Sequence, residues 1–248
     1  MEKSLNYNQK VLIKISMHIL LTRPLDDSKE LILKFSSMNH KVSHLPLLQI
    51  KKVGIPELDF SQFNGIIFTS ANALKNLDIS KVDKNIVCFC VGLATERIAK
   101  EFGFQNIFCA DGNVNNLKEL ILQNFDPKIG SILYVSGEIV SYDLQKDLTS
   151  ENYVVKRVVN YTAIPNENLD INFLTDIKSS PPDMVFIYSE NSARAFLNII
   201  KKYKLDNIWI ETNLMCIGEK ASSALNDIKW KKIFLFNPGE EEFLLYKI

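Results

Sequence analysis

Short apolar runs alternate along the chain with stretches in which apolar residues recur at helical spacing. The helical spacing is clear at Leu117, Leu120, Ile121 and Phe125, which fall on one face of a helix. Continuous apolar strands that alternate with helices are typical of a parallel sheet covered on both faces. We therefore predict the doubly wound α/β class. The predicted strands are residues 18–21, 42–50, 65–68, 86–91, 107–109, 131–135, 153–163, 184–188, 214–217 and 233–236.

The chain also repeats its own pattern. At a constant shift of 126 residues, Gly92 matches Gly218 within two longer similar segments. At a shift of 113 residues, Val42 matches Val155 within a second pair of segments. We therefore expect two similar domains, whose pieces follow one another in the order A, B, A, B.

This order leaves two ways of building the domains. Either each A joins the B that follows it, or the middle B and A form one domain while the outer pieces form the other. In the second arrangement the predicted strands 42–50 and 153–163 cross between the domains. Both are longer than the mean strand of about 5–6 residues, which fits a crossing segment. Periodicity alone leaves both arrangements open.

Length and charge exclude two classes of protein. The 248 residues suggest one large domain or two small ones, each able to bury a core. The chain has 29 basic and 29 acidic side chains, whereas a protein that coats nucleic acid needs a basic surplus. No apolar run approaches the ~18 residues of a membrane helix, which excludes an integral membrane protein.

The N-terminal residues 1–16 are predicted to be an extension that packs weakly. Residues 10–22 are basic and then apolar, as in a signal peptide. However, Lys14 and His18 interrupt the apolar stretch, and no small-residue cleavage site follows. We therefore predict a core strand that ends at Thr22, and a cytoplasmic chain.

The cysteines and histidines give little support to metal or histidine chemistry. All four cysteines lie in apolar, strand-like segments, and Cys88 and Cys90 point to the same face of one strand. They lack the paired loop spacing of zinc ligands, so we predict buried thiols and no metal site. The absence of a GxGxxG motif and of a P-loop argues against a dinucleotide or nucleoside triphosphate. A flavin site of the flavodoxin type stays open, because it requires only polar loops.

Small and polar residues stand where the predicted strands turn into helices. Open parallel sheets bind ligands at the carboxyl ends of their strands, where helix N-termini attract anions. Two such domains face to face would bind a polyanion without any net basic charge. The same residues are also good helix caps, worth about 1 kcal/mol each, and for any single turn capping is the more frequent role. The turns are residues 22–24, 69–72, 92–95, 136–138, 189–192 and 218–220.

Four segments of the chain resemble the uroporphyrinogen-III synthase family in order and spacing. They are LLTRP at 20–24, FTSANA at 68–73, VGLAT at 91–95 and VVNYTAIP at 158–165. The resemblance covers nearly the whole chain from Met17 onward. The second half departs from the family pattern at three places. SENS replaces a Ser-Pro-Ser turn at 189–192, GEKAS replaces a GPTTA-like turn at 218–222, and Gly239 replaces a threonine.

The resemblance implies two flavodoxin-like, doubly wound domains joined by a two-stranded linker. The first domain would be discontinuous, residues 1–46 plus 163–248, and the second would span 47–162. Strand 18–21 would then share a sheet with 184–188, and 65–68 with 131–135.

The implied activity is that of a lyase in haem biosynthesis. It closes the linear tetrapyrrole hydroxymethylbilane into uroporphyrinogen III, with inversion of ring D and loss of water. No cofactor or metal takes part. The implied partner is this small polycarboxylate substrate, with no nucleic acid and no membrane, and the implied state is a monomer. A non-catalytic two-domain binding protein on the same scaffold is the alternative function.

The resemblance also implies the residues of the site. Tyr161 matches the family's candidate tyrosine, which would donate a proton to the departing hydroxyl, and the alternative role of its ring is packing on a crossing strand. The substrate carries eight carboxylates, which agrees with the anion-binding turns. The implied substrate-binding residues are Arg23, Thr69, Ser70, Asn72, Gly92, Thr95, Ser136, Gly137, Ser189, Ser192, Gly218 and Ser222.

Overall fold

A computed structural model describes residues 16–110, 114–237 and 239–246 of the protein. Residues 1–15 of the predicted N-terminal extension lie outside this range, so its weak packing stays a prediction. The strands are β1 (His18–Leu21), β2 (Lys41–His44), β3 (Leu48–Lys52), β4 (Phe63–Phe68), β5 (Val87–Val91), β6 (Asn106–Ala110), β7 (Ser131–Gly137), β8 (Val154–Pro165), β9 (Met184–Ile187), β10 (Asn213–Cys216) and β11 (Lys232–Leu235).

The helices lie between the strands, as the alternating pattern predicts. They are α1 (Leu25–Ser37), α2 (Ala71–Lys75), α3 (Leu93–Glu101), α4 (Val114–Asn124), α5 (Leu144–Ser150), α6 (Ile171–Ser179), α7 (Glu190–Lys202), α8 (Glu219–Ser223) and α9 (Glu241–Leu244), with a 3₁₀ turn at Phe60–Gln62. Across the described parts of the chain, none of the helices has the length and apolar character needed to cross a bilayer.

Five parallel strands form the first sheet, in the order β11-β10-β9-β1-β2. β1 lies between β9 and β2, so that Leu20 stands opposite Val185. Leu20 packs on one face of the sheet, and Ile19 and Leu21 pack on the other. Every residue of β1, β9 and β10 is buried, because helices cover both faces of these central strands.

Six strands form the second sheet, in the order β3-β8-β7-β4-β5-β6. All neighbours are parallel except β3, which pairs antiparallel with the end of β8. Ile66 and Phe68 of β4 pack on one face, and Ile67 packs on the other. The second sheet is therefore also covered on both sides.

The predicted sharing of sheets is confirmed. β1 pairs with β9, and β4 pairs with β7. The doubly wound α/β class is confirmed with it. The domain boundaries at 46/47 and 162/163 stay a prediction.

The prediction of one long strand over residues 42–50 is wrong. The segment divides into β2 of the first sheet and β3 of the second, with Pro46 between them. Proline has no N–H to donate to a strand ladder, and the chain leaves the first sheet at this point. The other predicted crossing segment is continuous: β8 has 12 residues.

The prediction of buried thiols holds for three of the four cysteines. Cys88, Cys90 and Cys216 are buried, whereas Cys109 is half-buried. Burial raises the pKa of Cys88 and of Cys216 to about 12, so both thiols stay protonated at neutral pH.

Candidate functional site

Each sheet has one point where the strand order reverses, and doubly wound folds bind ligands at its carboxyl side. In the first sheet this point lies between β1 and β9, and in the second it lies between β7 and β4. Residues of the predicted site end or follow all four strands. Arg23 follows β1, Ser189 follows β9, Thr69 and Ser70 follow β4, and Gly137 ends β7.

Two hydroxyl groups meet at the reversal point of the second sheet. Thr69 Oγ1 lies 3.3 Å from Tyr134 Oη. Tyr134 is buried inside the sheet, and this burial raises the pKa of its phenol. Thr69 therefore serves as a partner for a neutral phenol in the protein's interior.

Arg157 fixes the turn that follows β7. Its Nε donates to Ser136 Oγ at 2.8 Å, and its Nη2 donates to the carbonyl oxygens of Gly137 and Glu138 at 2.8 and 2.9 Å. Ser136 is buried, and its hydroxyl donates to the Gly137 carbonyl. Within this turn the Ser136 side chain is thus occupied by protein partners.

Tyr161 stands where β8 changes from one neighbour to another. It pairs with Gly137 of β7 on one side and with Lys52 of β3 on the other. The register shifts by one residue just before it, which leaves Asn160 as the extra residue of a β-bulge. Asn160 is buried and donates from Nδ2 to the carbonyl of Ala73 at 2.7 Å. The bulge re-aims the tyrosine and is itself anchored to α2.

The Tyr161 ring packs directly against Gly137. A Cβ added at Gly137 would lie 2.7 Å from Tyr161 Cζ, 2.8 Å from Cε2 and 2.9 Å from Oη. The ring is half-buried and contacts the core on the α2 side of the sheet. Glycine at position 137 therefore gives the phenol its place beside the turn.

Arg23 and Tyr188 form the corresponding cluster in the first sheet. The Arg23 guanidinium carbon lies 4.8 Å from the centre of the Tyr188 ring, a cation–π contact. The Arg23 carbonyl accepts from His44 Nε2 at 2.7 Å and from Ser28 Oγ at 3.2 Å. Burial raises the pKa of Tyr188, Glu241 adds to the effect and Arg23 opposes it. The phenol therefore stays protonated at neutral pH.

Several predicted binding residues cap helices. Ser70 Oγ accepts from the backbone N–H of Asn72 at 3.2 Å. Ser189 Oγ accepts from the N–H of Ser192, and Ser192 Oγ accepts from the N–H of Ser189, both at 3.0 Å. This reciprocal capping box satisfies two N–H groups at the start of α7.

Gly92 and Gly218 occupy equivalent positions before α3 and α8. Both have φ +79°, in the region that favours glycine. A Cβ at either position would meet nothing within 4 Å, so conformation rather than space requires glycine. Thr95 is buried inside α3, and Ser222 Oγ donates to the Glu219 carbonyl at 3.0 Å within α8.

A cavity of about 1000 Å³ separates α1 of the first sheet from α2 of the second. The antiparallel ladder of β3 with the end of β8 closes one side, through residues such as Gln49 and Pro165. Of the predicted site residues, Asn72 lines this cavity. The volume lies at the upper end of the usual range for ligand pockets, about 300–1,000 Å³.

Three residues of the candidate site were not predicted from the sequence: Tyr134, Tyr188 and Arg157. Tyr188 directly follows β9 and precedes the turn 189–192, and Tyr134 lies in the middle of β7, two residues before the turn 136–138. Arg157 is a charged residue inside a long apolar strand, which is itself a pointer to a specific partner. Each of these residues had a local signal, but none matched a known motif.

Comparisons with known proteins agree on one family. The sequence profile of the family described as "Uroporphyrinogen-III synthase HemD" matches residues 29–235. A curated relative from Oryza sativa subsp. japonica, named "Uroporphyrinogen-III synthase, chloroplastic", is 25% identical over 232 residues. That alignment covers 87% of this chain and 74% of the relative.

Two solved structures share the fold. The uroporphyrinogen-III synthetase of Helicobacter pylori matches with a TM-score of 0.61 and 19% identity, over 94% of this chain and 100% of that one. A mutant uroporphyrinogen III synthase of Thermus thermophilus matches with a TM-score of 0.53 and 12% identity, over 94% and 96%.

Proposed function

The chain belongs to the uroporphyrinogen-III synthase family, and we propose that it carries out the family's reaction between its two sheets, where the cavity between α1 and α2 holds part of the substrate. The reaction closes linear hydroxymethylbilane into uroporphyrinogen III, with inversion of ring D and loss of water. The observation that carries the proposal is a cavity of about 1000 Å³ bordered by both halves of the molecule. No finding favours the alternative of a non-catalytic binding protein.

The protein has three tasks in this reaction. It must fold a flexible chain so that the reacting carbons approach each other, help the hydroxyl group leave as water, and keep bulk water away from the azafulvene. Opposing walls from two sheets suit the first and third tasks. We propose that the turns at the carboxyl ends of the strands bind substrate carboxylates, through the Arg23 guanidinium, side-chain hydroxyl and amide groups and backbone N–H groups that no helix cap occupies. The residues proposed for this are Arg23, Thr69, Ser70, Asn72, Gly92, Thr95, Ser136, Gly137, Ser189, Ser192, Gly218 and Ser222.

We propose Tyr161 as the proton donor to the departing hydroxyl group. Its phenol supplies one proton, the C–O bond breaks, and the hydroxyl leaves as water. The position of Tyr161 supports the role, because the ring is half-buried and lies against the Gly137 turn at the reversal point. The hydrogen bonds of Arg157 hold that turn in place.

Replacing Tyr161 with phenylalanine tests this role. Tyr161→Phe should slow formation of isomer III by about 10²–10⁴-fold, the usual contribution of a positioned general acid. Stability should change little, because the ring and its packing are kept. The assay incubates the enzyme with freshly generated hydroxymethylbilane, oxidises the product and separates isomers I and III. Because the substrate also closes spontaneously to isomer I, the ratio of isomer III to isomer I reports the fraction of substrate that the enzyme converts.

Tyr153→Phe is the matched control. Tyr153 Oη donates to the Phe125 carbonyl at 2.8 Å in the core, away from the reversal point. Its loss should lower stability by about 1 kcal/mol and leave the isomer ratio unchanged. A Tyr161→Phe enzyme with the wild-type rate and isomer ratio would mean that the protein catalyses the reaction by positioning the substrate, without a proton from Tyr161.

We further propose a cytoplasmic monomer that binds neither nucleic acid nor membrane, with domains at 1–46 plus 163–248 and at 47–162. The thiols of Cys88, Cys90 and Cys216 are buried and form no disulfide, which supports a reducing compartment, and both cores are built within one chain. Cell fractionation and light scattering of the purified chain test the compartment and the monomer.

A further inference from the structure

The cavity between α1 and α2 has an unfavourable charge for its proposed substrate. Three carboxylates line it, those of Asp26, Asp27 and Glu167. Among the lining residues that the structure describes, Lys75 is the single cationic side chain. A polycarboxylate that enters therefore meets three like charges and one opposite charge.

Lys75 is already paired across the cavity. Its Nζ lies 3.4 Å from Oδ1 of Asp27, and the two side chains are only 31% and 20% exposed. Asp27 belongs to the first turn of α1, and Lys75 ends α2, so the pair joins the two sheets. The partial burial of both groups makes solvent screening weaker than for an exposed pair.

A second ion pair also joins the two sheets, between α1 and α3 and outside the cavity. Arg97 Nη1 of α3 lies 3.3 Å from Glu30 Oε1 of α1, with side chains 59% and 82% exposed. This pair has the same charges and also connects the two sheets, but neither residue lines the cavity. It therefore provides a natural control for Lys75 and Asp27.

We propose that Lys75 is a substrate-positioning residue that binds one substrate carboxylate, and that Asp27 holds it in the absence of substrate and competes with that carboxylate. The proposal rests on the proposed function, since the ligand is the polycarboxylate substrate. A carboxylate of the substrate replaces a carboxylate of the protein at the same ammonium group. Asp27 thus keeps the cation ordered and lowers the affinity for substrate.

The proposal predicts that removing a charge from the protein tightens substrate binding. Asp27→Asn frees Lys75, so KM for hydroxymethylbilane should fall about threefold to fivefold, the range expected for one partly screened ion pair. Lys75→Gln should raise KM by a similar factor. The kcat should change little in both variants, because the contact is made equally in the bound substrate and in the transition state.

A double-mutant comparison separates this exchange from general repulsion. In a Lys75→Gln background, Asp27→Asn should have lost most of its effect on KM, because no cation remains to be freed. Asp26→Asn removes a second lining carboxylate, and its effect should persist in that background. Glu30→Gln removes an equivalent charge outside the cavity and should leave KM unchanged.

The experiment measures initial rates of isomer III formation by the full chain, with melting temperatures as a check on folding. Fluorescence titration with uroporphyrin III, an octacarboxylate, gives the same order of affinities without turnover. If the proteins bind uroporphyrin III in the expected order of affinity but the wild-type protein forms no isomer III, the proposed function is overturned and the role of Lys75 in binding is not. Active enzymes in which Asp27→Asn raises KM, or in which Asp27→Asn and Lys75→Gln act additively, overturn the role of Lys75. The same holds if Glu30→Gln reproduces the effect of Asp27→Asn.

Discussion

Replacing Gly137 with alanine should displace the Tyr161 ring while leaving its phenol group unchanged. The added Cβ would lie 2.7 Å from Tyr161 Cζ and 2.9 Å from its hydroxyl oxygen. Non-bonded carbon atoms need about 3.5–4.0 Å, so the end of the ring must shift by roughly 1 Å. The clashing atoms are at the free end of the side chain, and the ring can therefore swing away while the sheet stays closed.

We expect the rate of isomer III formation to fall more than the stability of the protein. Overpacking of this kind costs about 1–3 kcal/mol, and a side chain that can swing lies at the lower end. A displacement of about 1 Å in a positioned group can cost about 10²-fold in rate. Gly137→Ala should therefore lose isomer III formation by about 10²-fold, and its melting temperature should fall by only a few degrees.

The assay is the ratio of isomers I and III after oxidation of the product, measured beside the melting temperature. Gly65→Ala is the matched control, because its added Cβ would lie 3.0 Å from Phe125 Cε2 in the core of the same sheet. It should lower stability to a similar or greater extent and leave the isomer ratio unchanged. A folded Gly137→Ala enzyme with wild-type rate and ratio would refute the requirement for a positioned phenol. An equal loss of isomer III in both variants would show a general effect of overpacking.

Two further predictions concern stability. Gly218→Ala should cost about 1 kcal/mol in a melting experiment, because the residue has φ +79° and an added Cβ meets no neighbour, so strain is the whole effect. Burial and Lys41 lower the pKa of His18 from its usual 6.5, so below that pH the unfolded chain binds a proton more readily than the folded one. The free energy of unfolding, measured with urea, should therefore fall as the pH drops through about 6.5 and below, and His18→Gln should remove part of that fall. A pH dependence that is the same in His18→Gln would contradict the role of His18.

The sequence repeat identified equivalent positions that lie far apart in the chain. Matching Gly92 with Gly218 paired two positions that have the same φ of +79°. The interleaved arrangement then followed from the family resemblance. A repeat carries long-range information because equivalent segments adopt equivalent structures, whatever lies between them.

The hydropathy pattern gave a wrong strand where a single proline ends one strand before the next begins. Residues 42–50 are as apolar as a strand, but Pro46 divides them between two sheets. Leu45 and Leu47, on either side of it, are buried, so the apolar pattern continues through a break in the ladder. Hydropathy reports burial, and here burial is not a sign of strand pairing.

Much of the candidate site could not be predicted because its contacts join distant parts of the chain. Thr69 and Tyr134 are 65 residues apart, and Asp27 and Lys75 are 48 residues apart. Helix caps such as Ser70 are local and were recognised as polar turns. Contacts across the cavity depend on the relative position of the two sheets, and no periodic pattern in the sequence predicts that position.

The interleaving of the two sheets imposes an order on synthesis at the ribosome. The second sheet is contained in residues 48–165, so all of its strands leave the ribosome in one uninterrupted stretch. β1 instead waits for β9, and the backbone N–H of His18 bonds to a carboxylate 165 residues further along. At about 5–20 residues per second, the apolar β1 remains without its central partner for roughly 8 to 30 s. By the end of that interval the second sheet is complete, while β1 still lacks its central partner, and an apolar strand exposed for that long is a target for chaperones.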